Sequence, residues 1–129
     1  MKIEVPQLPP TSWSPNARVH WAVRHREGKA YQQAVFYSCI DVKNKLHRVL
    51  WQPGFPPFTK ARLNLTFVFA TERKRDEDNL RSQFKPGQDA LVRAGLIEDD
   101  NPTHLVMGTV SIVVDKDRAP MTIIELQEV

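Results

Sequence analysis

The chain begins with a short alternation of apolar and polar residues. Ile3 and Val5 alternate with Lys2 and Glu4 until Pro6, and a period of two is typical of a strand. Proline cannot donate a backbone hydrogen bond to a neighbouring strand. We therefore expect this strand to end at Pro6 and to lie at an edge of its sheet.

A helical period follows from Lys29 onward. Apolar residues then recur every three or four positions, the spacing of one helical face, at Tyr31, Val35, Cys39, Val42, Leu46 and Val49. This spacing predicts a helix of about 20 residues. The prolines and glycine within residues 51–58 predict a loop after it. Cys39 is the only cysteine, which excludes an internal disulfide, and we expect it in the core.

The second half of the chain carries three further strand patterns. Leu63, Leu65, Phe67 and Phe69 alternate with less apolar residues, which predicts a strand with one buried face. Residues 105–114 and 121–126 are also rich in β-forming residues. The segment DKDRAP between them predicts a hairpin-like connection.

A second helix is predicted over residues 79–94, and Gly95 is a plausible C-terminal cap. Pro86 interrupts this pattern. Because proline lacks a backbone N–H and disfavours helical geometry at the preceding residue, the helix either kinks there or begins near Pro86.

The element order β-α-β-α-β-β predicts a single α+β domain over residues 1–129, with helices packed on a mixed sheet. The chain has neither a signal-peptide pattern at its start nor an apolar stretch of the roughly 18 to 20 residues that a bilayer requires. We therefore expect a cytoplasmic protein without a membrane partner.

Acidic residues are concentrated in two triplets, residues 76–78 and 98–100, although the chain has a net charge of +3. Setting these six acids aside leaves 18 basic against 9 acidic residues. Such a balance is typical of a protein that binds polyphosphate. The alternative interpretation is that both triplets are solvated loop charge.

Asp76 and Asp78 follow the strand at residues 63–69, whereas Asp99 and Asp100 precede the next strand. Both pairs lie at turns between strands and helices, so they could share one site. Neighbouring carboxylates repel each other unless a cation neutralises them, and hard oxygen ligands suit Mg²⁺, with Mn²⁺ as a substitute. Such an ion could activate water for attack on a phosphodiester.

Three other kinds of site fit less well. An EF-hand loop beginning at Asp76 fails, because Leu80 and Arg81 occupy the fifth and sixth positions, where an oxygen ligand and glycine belong. The four histidines, His20, His25, His47 and His104, lack a paired zinc spacing. No Gly-x-Ser-x-Gly motif marks a hydrolase nucleophile.

Basic residues near these acids are candidates for phosphate contacts, and the alternative is that they are solvated charge in a loop or at the end of a strand. They are Arg73, Lys74, Arg75, Arg81, Arg18, Arg24, Arg26 and Lys29. Four aromatic residues in or near the proline-rich segments either stack on unpaired bases or are buried in the core or a dimer interface: Trp13, Trp21, Phe55 and Phe58.

These motifs together resemble the RusA family of Holliday junction resolvases, which is found widely in prophages. The family pattern of Asp-x-Asp-Asn-Leu, a lysine, Asp-Ala-Leu, Ala-Gly and Asp-Asp is matched by Asp76, Asp78, Asn79, Leu80, Lys85, Asp89, Ala90, Leu91, Ala94, Gly95, Asp99 and Asp100. The N-terminal segment is also similar, at Pro9, Pro10, Asn16, Arg18, His20 and Tyr31.

The resemblance implies a Mg²⁺-dependent endonuclease that resolves four-way DNA junctions in recombination and repair. It implies that Asp76, Asp78 and Asp100 are catalytic metal ligands, with Asp99 as a helper, and that Lys85 assists at the scissile phosphate. It also implies an α+β homodimer, whose two sites would face the two opposed strands of a junction. The alternative is a catalytically inactive protein that binds junctions or has a structural role on DNA.

One spacing departs from the family pattern. The family lysine falls four residues after the second aspartate, where this chain has Ser82, whereas Lys85 comes seven residues after Asp78. On an unbroken helix Lys85 would lie within roughly 20° of Asp78. The alternative is a solvated lysine that only pairs with Asp89, four residues later.

Overall fold

A computed structural model describes residues 1–50 and 57–129 of the chain. The elements in chain order are β1 (Lys2–Val5), a 3₁₀ turn (Thr11–Trp13), α1 (Trp21–Leu50), β2 (Ala61–Phe69), α2 (Glu77–Gln83), α3 (Lys85–Arg93), β3 (Leu105–Val114) and β4 (Met121–Glu128). The α+β class is confirmed. The loop predicted over residues 51–58 falls mostly outside the described residues.

The four strands form one mixed sheet in the order β1-β4-β2-β3. β2 pairs in parallel with β3 and antiparallel with β4, and β4 also pairs antiparallel with β1. The predicted edge position of β1 is therefore confirmed. The register of β2 and β3 shifts between Leu63 and Leu65, which marks a β-bulge at Gly108 and Thr109 of β3.

The predicted hairpin between β3 and β4 is wrong, because β2 lies between these two strands. The hairpin signal is local, whereas strand order depends on which strand gains most from two neighbours. β2 carries more buried residues than any other strand, including Leu63, Leu65 and Phe67. In this central position β2 forms hydrogen bonds with a neighbouring strand on each side. The connection from β3 must therefore cross β2 to reach β4 on its other side.

The helices and the sheet share one hydrophobic core. Tyr31, Val35 and Cys39 of α1 are buried together with alternate residues of β2 and with Phe84. The helix α1 begins eight residues before the predicted start, at Trp21. Its first turns lack a buried apolar face, since Trp21 is 74% exposed. The helix start is instead fixed by His20, whose Nδ1 accepts a hydrogen bond from the Ala22 amide at 3.1 Å.

The second predicted helix is divided into α2 and α3. Phe84 ends α2 and precedes α3, and Pro86 lies in the first turn of α3. This confirms the alternative in which a helix begins near Pro86. Lys85 and Asp78 are therefore on different helices, so the angle expected for an unbroken helix does not apply.

The end of α3 confirms the predicted glycine cap. Gly95 has a φ of 75°, a left-handed conformation that glycine adopts without a steric penalty. The Gly95 amide donates to Val92 and the Leu96 amide donates to Leu91, both at 3.0 Å. This is a Schellman motif, and it directs the chain toward Asp99 and Asp100.

Within residues 1–50 and 57–129, no helix is both long and apolar enough to cross a membrane.

Candidate functional site

Lys85 lies between two carboxylates that come from different parts of the chain. Its Nζ donates to Asp89 Oδ1 at 2.8 Å and to Asp100 Oδ2 at 2.5 Å. Asp89 is one turn further along α3, so this contact follows from helical spacing alone. Asp100 lies in the loop between α3 and β3, which the Schellman motif brings back toward the start of α3. The ion pair between Lys85 and Asp100 therefore joins two residues of the site predicted from the sequence.

The bridge changes the charge properties of both partners. Partial burial lowers the pKa of Lys85, but hydrogen bonds to Asp100 and Asp89 outweigh it, so the pKa is raised above 10.5. The hydrogen bond from Lys85 holds the pKa of Asp100 below 3.8, although partial burial opposes this. Both groups are consequently charged at neutral pH, and Lys85 in this state is a hydrogen-bond donor rather than a base.

Asp99 and Gln88 surround Asp100. Asp99 Oδ1 accepts from the Asp100 amide at 2.7 Å, and Asp99 Oδ2 accepts from Asn101 Nδ2 at 3.1 Å. Both carboxylate oxygens of Asp99 are thus used to shape the loop. Gln88 Nε2 lies 3.5 Å from Asp100 Oδ2, at the outer limit of a hydrogen bond.

Asp76 caps the N-terminus of α2. Its Oδ1 accepts from the Asp78 amide at 2.8 Å and from the Asn79 amide at 3.4 Å. An aspartate here satisfies free N–H groups and complements the positive end of the helix. Asp78 is exposed in the first turn of α2.

The sequence-predicted metal ligands are not gathered into one group. All four aspartates are among the described residues, yet residues 1–50 and 57–129 contain no group of three His, Cys, Asp or Glu side chains that could hold a metal ion. In this arrangement the four aspartates therefore do not converge into one preformed Mg²⁺ or Mn²⁺ site. Instead, the Lys85 ammonium balances the charge of Asp100.

Six of the eight basic candidates line three cavities. Arg73, Lys74 and Arg75 line one of about 280 Å³ together with Asp76. Lys29 lines a second, of about 320 Å³, together with Asp89. Arg24, Arg81 and Lys85 line a third, of about 440 Å³. Lys85 therefore stands between the acidic residues Asp89 and Asp100 and the third cavity.

Some predicted residues are not brought into this arrangement. Arg18, Arg26 and Asp78 are exposed, and they line none of the three cavities within the described part of the chain. Among the aromatic candidates, Trp21 is exposed at the start of α1 and Phe58 is partly buried against the core. Phe55 lies outside the described residues.

Two features of the site are not apparent from the sequence motifs. Trp13 forms part of the second and third cavities, and its Nε1 donates to the Arg24 carbonyl at 2.8 Å. Gly28 packs against this indole so closely that a Cβ there would lie 2.3 Å from Trp13 Nε1. Gly28 precedes the helical pattern predicted from Lys29, so nothing in the sequence pattern indicated this close approach until α1 was found to begin at Trp21.

Comparisons with known proteins add little about the chemistry. No family model matches this chain. A relative from Xylella fastidiosa strain Temecula1, named "Uncharacterized protein", is 36% identical over 93 residues. The match covers 70% of this chain and 56% of that protein, so the chain spans about half the length of this relative.

Proposed function

We propose that the chain is a structure-selective DNA endonuclease of the RusA type that acts on four-way junctions, requires a divalent ion and works as a homodimer. The observation that carries the proposal is the position of Lys85. It contacts Asp100 and Asp89 on one side and shares a cavity with Arg24 and Arg81 on the other. A DNA phosphate held in that cavity would lie beside the two carboxylates.

The residues of this chain would act mainly by binding and orientation. Arg24 and Arg81 would hold the DNA backbone, and Arg73, Lys74 and Arg75 would extend the basic surface near Asp76. Lys85, which remains protonated, would donate a hydrogen bond to a phosphate oxygen once its contacts with Asp89 and Asp100 loosen. Charge neutralisation at a phosphate is a main source of rate enhancement in phosphoryl chemistry.

A second candidate is a junction-binding protein without catalysis. It is favoured by the finding that the described residues contain no group of three metal-ligating side chains. This candidate uses the same basic cavities and predicts salt-dependent DNA binding without cleavage.

The experiment is cleavage of a labelled, immobile four-way junction beside a linear duplex of equal length, with Mg²⁺ or with a chelator. The informative variant is Asp76→Asn, because asparagine caps a helix about as well as aspartate and therefore changes the charge without removing the cap. Asp76→Ala, which loses the cap, shows how much activity depends on α2 itself.

Paired, symmetric nicks that require both Mg²⁺ and the Asp76 carboxylate are the expected result. Nicking at the wild-type rate by Asp76→Asn would exclude the proposed site. Tight junction binding without nicks, across Mg²⁺ and Mn²⁺ and several junction sequences, would establish the second candidate.

A further inference from the structure

The third cavity has a basic wall with no acidic residue in it. It lies between the N-terminal segment and α1 on one side and α2 and α3 on the other. Its lining residues are Trp13, Pro15, Arg24, Arg81, Ser82, Lys85 and Gln88. At about 440 Å³, it is larger than a phosphate group requires, so it can take a phosphodiester with part of its sugars.

Arg24 is held in this wall by an aromatic ring rather than by a carboxylate. Its guanidinium carbon lies 4.6 Å from the centre of the Trp13 ring. A guanidinium that stacks on a ring uses its face, whereas its N–H donors point outward in its plane. Among the described residues Arg24 has no ion pair. Its charge and its donors therefore remain available to an anion.

Arg81 is fixed by a neutral partner as well. Its Nη2 lies 3.4 Å from the Gly108 carbonyl, in the β-bulge of β3. Its Nε is buried without a hydrogen-bond partner among the described residues. Arg81 also has no ion pair among the described residues, so its charge in the cavity wall is not balanced by a carboxylate.

Lys85 differs from the two arginines because Asp89 and Asp100 already balance its charge. The unbalanced charge of the cavity therefore comes from Arg24 and Arg81, while Ser82 and Gln88 can add neutral donors. Guanidinium groups donate paired hydrogen bonds to phosphate oxygens. The cavity is therefore better suited to a phosphate than to a neutral ligand.

We infer that this cavity is a subsite for one backbone phosphodiester of DNA, bound by Arg24 and Arg81 together. The two arginines bind this phosphate and so position the strand beside Lys85, whose partners Asp89 and Asp100 do not themselves line the cavity. This inference rests on the proposed function only in that the chain binds DNA. It does not require that the chain cuts DNA.

The test is binding of a four-way junction in chelator, with single phosphates replaced one at a time by neutral methylphosphonates. The proteins are wild type, Arg24→Gln, Arg81→Gln, the double variant and Arg62→Gln. Arg62 is the matched control, because it is exposed on β2 between the core-facing residues Ala61 and Leu63 and lines none of the three cavities. Thermal unfolding of each variant establishes that it is folded.

One methylphosphonate position should weaken wild-type binding on the order of tenfold, the usual effect of a lost charged hydrogen bond. Arg24→Gln and Arg81→Gln should bind unmodified DNA more weakly and should be less sensitive than wild type to that same position, and the double variant should be insensitive to it. The salt dependence of log Kd should fall by about 0.9 in the double variant, and by no more than that in either single variant, because both side chains meet one phosphate.

The inference is overturned if folded Arg24→Gln and Arg81→Gln behave like Arg62→Gln, or if the double variant stays as sensitive as wild type at every position. A double variant whose salt dependence falls by about 1.8 would also overturn it, since two separate phosphates are then bound. If the wild-type protein binds DNA but never nicks it, the proposed endonuclease activity is excluded and the inferred phosphate subsite stands. If the wild-type protein shows no salt-dependent DNA binding, both the proposed function and the phosphate subsite are excluded.

Discussion

Lys85 Nζ lies 2.5 Å from Asp100 Oδ2, although fifteen residues separate the two along the chain. The contact depends on two local events that flank α3. Phe84 and Pro86 place Lys85 at the start of that helix, and Gly95 turns the chain back after its end. An acidic residue and a basic residue of the proposed site thus meet because a short helix starts and stops at fixed positions.

The Lys85–Asp100 pair makes stability depend on pH at both extremes. The pKa of Asp100 is lowered from 3.8, so its contribution is complete above that value and is lost as pH falls through the lower, folded pKa. The pKa of Lys85 is raised from 10.5, so its contribution is complete below that value and is lost as pH rises through the higher, folded pKa.

Asp100→Asn should therefore lower the free energy of unfolding by a constant amount at pH values where both Asp100 and Lys85 are charged. The loss should be smaller at more acidic or more alkaline pH. We expect about 1 kcal/mol or less, because the Lys85 side chain is 48% exposed and solvent screens the pair. Urea unfolding at several pH values measures this. The control is Asp41→Asn, which removes the more exposed Lys45–Asp41 pair. An Asp100→Asn effect that does not change down to the most acidic pH would contradict the prediction.

Gly28 permits the contact between α1 and Trp13. Gly28→Ala should lower the free energy of unfolding by about 1 to 2 kcal/mol, because the new methyl group would overlap the edge of the indole that carries Nε1. In a Trp13→Ala background the same substitution should instead stabilise α1 by roughly 1 kcal/mol, the helix propensity of alanine over glycine. Denaturant unfolding of the four proteins tests this, and an equal effect in both backgrounds would refute it.

A buried hydrogen-bond chain joins α1 to β4 and the N-terminal segment. Thr122 Oγ1 donates to the Gln7 carbonyl at 2.8 Å and lies 2.8 Å from the Tyr31 hydroxyl. Since Thr122 has only one hydroxyl hydrogen, Tyr31 must donate to it. Burial also raises the pKa of Tyr31 well above 10, with the Thr122 bond opposing.

Tyr31→Phe should lower the free energy of unfolding by about 1 to 2 kcal/mol, the usual effect of losing a buried hydrogen bond. Tyr37→Phe is the matched control, because Tyr37 lies on the same helix and is 67% exposed. Its effect should stay within about 0.5 kcal/mol. If urea unfolding shows that Tyr31→Phe and Tyr37→Phe lose equal free energy of unfolding, the contact between Tyr31 and Thr122 adds no stability.

Cys39 reports on opening of the core. Burial raises the pKa of its thiol to about 12, with Lys43 opposing, and the side chain is fully buried. A thiol reagent at pH 8 should therefore react only as fast as the protein opens, and the rate should rise sharply across the urea transition. Rapid labelling of the folded protein, at the rate of a free thiol, would contradict this.

The amino-acid sequence by itself determined the elements that depend on local spacing. Four such features are the alternation in β2, the three-to-four spacing in α1, the proline in the first turn of α3 and the glycine after that helix. Each acts within a few residues, so it can be recognised without knowing which distant element packs against it. The i, i+4 pairing of Lys85 with Asp89 belongs to the same group.

Only the tertiary structure decided which distant elements meet. The strand order placed β2 between β3 and β4, which no turn motif could indicate, because pairing across a sheet depends on competition among all the strands. The arrangement of the charged residues was decided in the same way. Lys85 rather than a third carboxylate came to lie against Asp100, and Arg24 and Arg81 came to share a cavity, because α1, α2 and β3 pack around one core.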